Sequence, residues 1–180
     1  MHISEWAAQH RIRVFHFTDE SNLPLIESLG GLFSWWDLEQ THKTIPRPGG
    51  TGLSRRLDKG RGLQTYVRLC FVTNHQMQFT ATEAGRIPNP RYLELDLAVL
   101  DLPGTRFSDR NACDVEAQFG EGLEWFQTQI DWRLIVEKIG WHNGRGYNFS
   151  RRSPRFDPLK AKWQAEAMIP RHVPLSFIRR

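Results

Sequence analysis

The sequence is poor in cysteine: Cys70 and Cys113 are its two cysteines among 180 residues. They do not form a Cys-x-x-Cys pair, and the histidines lack the spacing of metal ligands. Neither a disulfide framework nor a metal site is therefore expected. So few cysteines favour a reducing compartment, and we expect a cytoplasmic protein.

Long apolar runs are also missing, and we expect no secretory leader. No run of apolar residues approaches the length that crosses a bilayer, and the first six residues lack a basic segment followed by an apolar one. With 39% hydrophobic and 24% charged residues, the composition is that of an ordinary globular protein. We expect one domain over residues 1–180, with no membrane partner.

The common signatures of nucleotide-binding and hydrolytic enzymes do not occur: there is no Gly-x-Gly-x-x-Gly, Walker loop, Gly-x-Ser-x-Gly or His-Glu-x-x-His. What is present is a net charge of +4 that comes mainly from arginine, together with seven tryptophans and eleven phenylalanines. Arginine binds phosphate and stacks on bases, as aromatic rings also do. The composition suits single-stranded nucleic acid, although a basic, aromatic-rich domain without such a partner has the same composition.

The chain opens with a strand, a polar turn and a short helix. Apolar and polar residues alternate over residues 11–18, which predicts a strand. Asp19 and Asn22 offer helix-capping side chains, Pro24 suits a first turn, and two glycines at 30–31 end the helix.

The remaining segments predict an α+β fold. We expect helices at 35–40, 112–119, 122–129 and 131–139, and strands at 65–72 and 91–99. Residues 44–52 and 140–157 are predicted to be loops. The segment 53–62 is predicted to be a flexible basic stretch.

Glu166 lies between small and apolar residues, in a pattern that fits the start of a strand or the end of a helix. An exposed carboxylate is the ordinary alternative to one placed in a cleft. A polar strand end at 16–18, the pair Arg55-Arg56 and Glu166 together provide polar groups, a cation and a carboxylate. These would suit a reaction with a cationic transition state, but the residues alone leave this as one option among several.

Five segments, in this order, resemble a known family: 14–26 with 30–32, 54–56 with 63–71 and on to Met77, 107–112, 123–131, and 164–166 with 173–174. The sequence is similar to the DarT family of toxins, ADP-ribosyltransferases that use NAD to modify a base of single-stranded DNA. The resemblance implies an ADP-ribosyltransferase-like α+β fold, with two small β-sheets packed around an NAD cleft. It also implies NAD as co-substrate, single-stranded DNA as partner, and a cognate antitoxin.

The resemblance also implies roles for individual residues. Glu166 would be catalytic and stabilise the positive charge that develops as nicotinamide leaves. Arg56, with Arg55 as the second choice, would act at the target base. The residues expected to bind NAD are His16, Phe17, Thr18, Asn22 and Tyr66. The residues expected to bind nucleic acid are Arg55, Lys59, Arg61 and Arg145.

The strand that begins at Tyr66 departs from the family pattern. Where much of the family has Tyr-Val-Pro-Phe-Tyr-Phe, this chain has Tyr-Val-Arg-Leu-Cys-Phe at 66–71. The target base, thymine or guanine, therefore stays open. So do ADP-ribosylation of RNA or protein by the same cleft, and a non-catalytic nucleic-acid-binding module.

Overall fold

The structure, a computed structural model, describes residues 1–137 and 161–179. The helices are α1 Ile3–Gln9, α2 Leu23–Ser28, α3 Trp35–Gln40, α4 Gly52–Gly60, α5 Gln76–Glu83, α6 Gly122–Gln129 and α7 Trp132–Val136. The strands are β1 Val14–Asp19, β2 Gly31–Phe33, β3 Tyr66–Cys70, β4 Pro90–Leu95, β5 Arg106–Ser108, β6 Phe119–Gly120, β7 Glu166–Pro170 and β8 His172–Pro174. Short 3-10 helices span Glu20–Asn22, Leu97–Asp101 and Leu175–Phe177.

Six strands form one sheet in the order β4-β1-β3-β7-β5-β6, and β2 pairs with β8 in a second sheet. All of these pairings are antiparallel. β1 pairs with β4 along its whole length, as far as Asp19 opposite Pro90. β1 and β3, by contrast, pair at Phe15 and Cys70 and then separate. The α+β fold with two sheets around a cleft is confirmed.

The two faces of the large sheet differ in chemistry. Val67 of β3 and Ala167 of β7 belong to the buried core formed with side chains of α1, α6 and α7. Side chains alternate along a strand, so Arg68 and Glu166 project from the opposite face. That face looks toward α4, where Arg68 contacts Asp58. One face of the sheet thus stabilises the fold, and the other carries charged groups.

The opening unit has the predicted order of elements. The carboxylate of Asp19 caps the first 3-10 helix by accepting a hydrogen bond from the Ser21 amide at 3.0 Å. At Gly31, φ is 151°, and a Cβ would lie 2.1 Å from the carbonyl oxygen of Val173. Glycine is required here because β8 passes so close to β2.

The prediction of a flexible basic stretch at 53–62 is wrong, because most of it lies in α4. The Thr51 hydroxyl accepts a hydrogen bond from the Ser54 amide at 3.1 Å, and the Ser54 hydroxyl accepts one from the Thr51 amide at 2.8 Å. This reciprocal capping satisfies backbone donors at the start of the helix. The helix then fixes which basic side chains turn toward the cleft.

The prediction of a helix at 112–119 is also wrong, because this segment consists of turns that lead into β6. The Asn111 side chain accepts from the Cys113 amide, and the Asp114 side chain accepts from the Glu116 amide, each at 2.9 Å. Such local hydrogen bonds compete with helix formation.

The elements that were not predicted are α1, α5, β2, β5, β6 and β8. Of the loop predicted at 140–157, all residues lie outside the described ranges. No described helix has the length and apolarity of a membrane span.

Candidate active site

A cleft of about 260 Å³ opens where β1 and β3 separate. Side chains from α2, β2, α3 and α4 form one wall, and β1, β3 and the start of β7 form the other. Apolar wall residues include Leu25, Ile26, Leu29, Phe33 and Leu38. Apolar walls with a few placed polar groups are typical of small-molecule sites.

His16, Phe17 and Thr18 all line this cleft, at the end of β1. His16 Nδ1 lies 3.0 Å from the carbonyl oxygen of Arg68. Burial lowers the pKa of His16, so its ring is neutral near pH 7. Because the carbonyl can only accept, Nδ1 carries the proton and Nε2 remains an acceptor. Such an acceptor can bind a hydroxyl group of a sugar.

Asn22 also lines the cleft, and it holds Arg47 at the start of the segment 47–50 in place. Its Nδ2 donates to Thr18 Oγ1 at 3.0 Å and to the Arg47 carbonyl at 2.8 Å, while its Oδ1 accepts from the Arg47 amide at 2.9 Å. Residues 47–50 line the cleft. Asn22 therefore shapes the cleft wall through the backbone of Arg47, and direct contact of Asn22 with a ligand stays a prediction.

Glu166 is the first residue of β7 and is 8% exposed, which decides against the exposed alternative. Its Oε2 accepts from the backbone amide of Ala112 and from Nη1 of Arg68, each at 3.1 Å. Burial raises the pKa of Glu166, and the negative charge of Asp58 adds to that rise. Arg68 and the backbone amide of Ala112 oppose the rise. Within the described part of the chain, no residue hydrogen-bonds Oε1. As far as the described residues go, the carboxylate is thus held by one oxygen and has the other available.

Arg68 and Asp58 also line the cleft, and neither was predicted as a site residue. Arg68 Nη2 lies 2.5 Å from Asp58 Oδ1, and the indole nitrogen of Trp35 donates to Asp58 Oδ2 at 3.3 Å. A charged residue inside the otherwise apolar β3 is a signal that could have indicated Arg68. Nothing in the sequence indicates its pairing with Glu166, because the two positions are 98 residues apart.

The adjacent arginines of α4 have different surroundings. Arg55 lines the cleft, pairs with Glu39, and places its guanidinium carbon 5.2 Å from the ring centroid of Trp35. Arg56 is exposed and is not part of the cleft wall. Consecutive helical residues point about 100° apart, and on this helix that rotation turns Arg56 away from the cleft that Arg55 lines. The geometry favours Arg55 over Arg56 for contact with a bound ligand; a role of either in the reaction stays a prediction.

Two further basic residues predicted to bind nucleic acid lie at the end of α4. The Lys59 ammonium is 5.7 Å from the ring centroid of Trp35 and 4.7 Å from that of Trp36. Lys59 is exposed, so its charge is accessible to a phosphate group. The Arg61 guanidinium donates to the carbonyl of Ala112. Arg61 thereby supports the segment whose amide holds Glu166.

Tyr66 lines the cleft at the start of β3, whereas Arg145 lies outside the described residues.

Cys113 also lines the cleft. Burial, aided by the charges of Asp58 and Glu166, raises the pKa of Cys113 to about 11, so the thiol is protonated at neutral pH and is a poor nucleophile. Within residues 1–137 and 161–179, no group of three or more histidine, cysteine or carboxylate side chains could hold a metal ion.

Comparison with known families identifies the chain. Residues 15–180 match the profile of the family described as "ssDNA thymidine ADP-ribosyltransferase, DarT". The chain belongs to the DarT family. The resemblance inferred from five sequence segments is thereby confirmed, and with it the enzyme class, an ADP-ribosyltransferase.

Several solved structures have the same fold as this DarT-family chain. Thermus sp. 2.9 DarT in complex with ADP-ribosylated ssDNA is 19% identical, with a TM-score of 0.68 over 92% of this chain and 78% of that one. The same protein in complex with NAD+ gives 19% identity and a TM-score of 0.62, over 93% and 79% of the two chains. Thermosipho africanus DarTG in complex with ADP-ribose gives 16% identity and a TM-score of 0.69, over 92% and 42%. Comparison with curated proteins gave no match.

Proposed function

We propose that this chain transfers ADP-ribose from NAD to a base of single-stranded DNA and releases nicotinamide. The observation that carries the proposal is the buried carboxylate of Glu166, which faces the cleft with one oxygen held and the other available. Family membership supports the substrate class, since the family is described by its action on single-stranded DNA.

In the proposed reaction, the bond between C1′ of the ribose and the nicotinamide nitrogen breaks, and its electron pair leaves with nicotinamide. The sugar then carries positive charge, which the carboxylate of Glu166 stabilises electrostatically. A nitrogen of the target base forms the new bond to C1′ with its lone pair. The proton that this nitrogen carried is released to the solvent.

The other cleft residues bind the substrates. His16 Nε2 accepts a hydrogen bond from a ribose hydroxyl, because Nδ1 is committed to the Arg68 carbonyl. The rings of Phe17 and Tyr66 line the cleft and are suited to contact the flat nicotinamide. Arg55 supplies positive charge for phosphate or for the target base, and a guanidinium has no acceptor atom with which to take a proton.

The DNA lies along the basic face of α4, where Arg55 and Lys59 sit beside two tryptophans. An unpaired base can enter the cleft without the cost of leaving a duplex, which explains a preference for single strands. Thymine is the first candidate base because the family is described by it. Guanine is the second, because residues 68–70 depart from the family's strand sequence.

A cellular role follows from this chemistry. ADP-ribosylation of bases would block replication, so the chain would act as a toxin and would need a cognate antitoxin. Induced expression should then arrest growth, and Glu166→Gln should relieve the arrest. Unimpaired growth at high levels of the intact protein would argue against the toxin role.

The test of the activity is mass spectrometry of short DNA and RNA oligonucleotides incubated with the protein and NAD. Each oligonucleotide contains one type of target base in a constant context. We expect a gain of one ADP-ribosyl group on thymine-containing single-stranded DNA. Glu166→Gln should abolish the gain, and Glu124→Gln, which changes an exposed carboxylate of α6, should leave it intact.

Other outcomes would change the target base, the substrate class or the assignment as an enzyme. A gain confined to guanine-containing DNA would change the base, and a gain on RNA would change the substrate class. No gain on any oligonucleotide, combined with DNA binding that ignores NAD and survives Glu166→Gln, would favour the non-catalytic binding module.

A further inference from the structure

Arg68 joins two carboxylates that come from different parts of the chain. Its Nη2 lies 2.5 Å from Asp58 Oδ1, and its Nη1 lies 3.1 Å from Glu166 Oε2. The side chain of Arg68 is 23% exposed, and those of Asp58 and Glu166 are each 11% exposed. Two carboxylates so poorly solvated repel each other strongly unless a cation separates them. Arg68 is that cation.

The contacts on Glu166 are unequal. Arg68 and the Ala112 amide both donate to Oε2, and no residue of the described ranges donates to Oε1. A carboxylate fixed through one oxygen has a defined orientation, and its second oxygen can face a bound ligand. The orientation of Glu166 therefore depends on the guanidinium of Arg68.

Asp58 connects this arrangement to the helical wall of the cleft. Its Oδ2 accepts from the indole nitrogen of Trp35, which belongs to α3, and Asp58 itself lies on α4. Arg55 lies three residues before Asp58 on the same helix and lines the same cleft. The position of α3 and α4 is thus linked to Glu166 through Asp58 and Arg68.

We propose that Arg68 is a positioning residue for Glu166: it keeps the carboxylate ionised and turned into the cleft, and Asp58 both orients Arg68 and moderates its effect. The proposal rests on the proposed function, because it assigns Arg68 to the same reaction. In this proposal, Arg68 acts on the reaction through its contact with Glu166, so its effect is indirect.

Several other ionisable groups face Glu166 or its cleft, and they limit the interpretation of a pH profile. Cys70 of β3 and Cys113 of the turn segment 109–118 both have a raised pKa because of burial, so they stay neutral over the useful range. His16 of β1 has a lowered pKa and is neutral above pH 6.5. Arg68 and Asp58 are the charged groups in contact or in close interaction with Glu166.

Two substitutions should move the ionisation of Glu166 in opposite directions. Arg68→Met removes the positive charge and should raise the pKa of Glu166. Asp58→Asn removes a negative charge but keeps an oxygen that accepts from Arg68, so it should lower the pKa of Glu166. Arg68→Lys keeps the charge and should fall between Arg68→Met and the unaltered protein.

The experiment measures kcat/KM for ADP-ribosyl transfer against pH, together with the carboxyl ¹³C titration of Glu166 by NMR. The Glu166 signal is assigned by its absence in Glu166→Gln. On the acid limb of the profile, Arg68→Met should lower kcat/KM about tenfold for each pH unit by which that limb moves upward. At higher pH, kcat/KM should recover. Asp58→Asn should move the same limb downward.

A loss of activity in Arg68→Met that is equal at every pH, with an unmoved Glu166 titration, would overturn the proposal and indicate a structural role. If Arg68→Met does not fold, the opposite shifts expected for Arg68→Lys and Asp58→Asn decide the question. If the protein transfers nothing to DNA, the proposed function fails, and the NMR titration still tests the charge linkage. If transfer occurs and the titration does not respond, only this inference fails.

Discussion

The two walls of the cleft are built on different principles. On the strand wall, His16, Arg68 and Glu166 are placed by β1, β3 and β7, whose backbones are fixed by pairing with their neighbours. On the helix wall, α3 and α4 are short and are held by side-chain contacts, such as that between Trp35 and Asp58. The backbone hydrogen bonds of the strand wall tie it to the core, so we expect it to be the more rigid of the two walls.

This difference separates the residues that act on NAD from those that contact DNA in the proposed function. The strand wall carries the carboxylate that acts on NAD under the proposed function. The helix wall carries Arg55 and Lys59, which act on the DNA strand in that proposal. The ion pairs of Arg68 with Asp58 and with Glu166 join the two walls. Changes that disturb strand pairing or buried side chains should therefore lower stability, whereas replacing the charged residues of α4 should alter activity and DNA binding with little effect on stability.

The largest effect is expected at Gly31, where β2 meets β8. Gly31→Ala should lower the free energy of unfolding by about 3 kcal/mol, because the added Cβ meets the Val173 carbonyl oxygen at 2.1 Å and the backbone φ is unfavourable. Urea denaturation followed by circular dichroism measures this. Gly30→Ala is the matched control: its φ is 75° but nothing lies within 4 Å, so about 1 kcal/mol is expected. Equal losses would show that the contact between β2 and β8 is not tight.

The next effect concerns His75, which is fully buried and stacks on Phe17 of β1. Burial lowers the pKa of His75 to about 4, well below the ordinary value of about 6.5. The unfolded chain therefore binds more protons between these values, and the free energy of unfolding should fall as pH falls. The loss is about 2 kcal/mol between pH 6.5 and pH 5.

Denaturant unfolding at the two pH values checks this expectation. His75→Asn is the informative variant, since Asn keeps an acceptor for the Met77 amide, which His75 Nδ1 now caps. It should be less stable at neutral pH but should lose much less on acidification. An unchanged pH dependence would show that other groups cause the acid sensitivity.

On the helix wall, Arg55 and Arg56 provide a paired test. Arg55→Met should lower kcat/KM for transfer about tenfold, because it removes a charge that faces the cleft. Arg56→Met removes the same charge from an exposed position outside the cleft wall and should change the rate by less than about twofold. The reverse order would mean that the bound state turns α4 so that Arg56 faces the substrate.

The smallest effect is expected for Lys59, which is exposed at the end of α4. If Lys59 contacts one phosphate, Lys59→Met should reduce the slope of log Kd for single-stranded DNA against log salt by about 0.7. Fluorescence anisotropy with a labelled oligonucleotide measures this slope. Arg133→Met, which removes an exposed charge from α7, should leave the slope unchanged.

The strand wall was also the more predictable part. Alternating residues indicated β1, β-branched and aromatic residues indicated β3, and the apolar surroundings of Glu166 indicated a strand as one of two choices. The short strands β2, β5, β6 and β8 escaped prediction because segments of two or three residues have no measurable periodicity. The turns at 111–116 escaped because their local side-chain hydrogen bonds are specific to this segment.

The helix wall was predicted less well for a physical reason. The charge of segment 53–62 is typical of a solvated stretch, and its helical form depends on the capping by Thr51 and Ser54 and on Asp58 contacting Arg68 and Trp35. The choice between Arg55 and Arg56 depends on helical phase, which a sequence pattern with two adjacent arginines does not reveal.

By itself, the sequence determined the family and the α+β class and indicated His16 and Glu166 of the strand wall, because these follow from local periodicity and from motifs in a fixed order. Only the tertiary structure decided the surroundings of Glu166. Its partners, Ala112 and Arg68, and the more distant Asp58 come from separate segments, and long-range packing brings them together. The protonation and orientation of a buried carboxylate depend on those neighbours, and no local pattern in the chain encodes them.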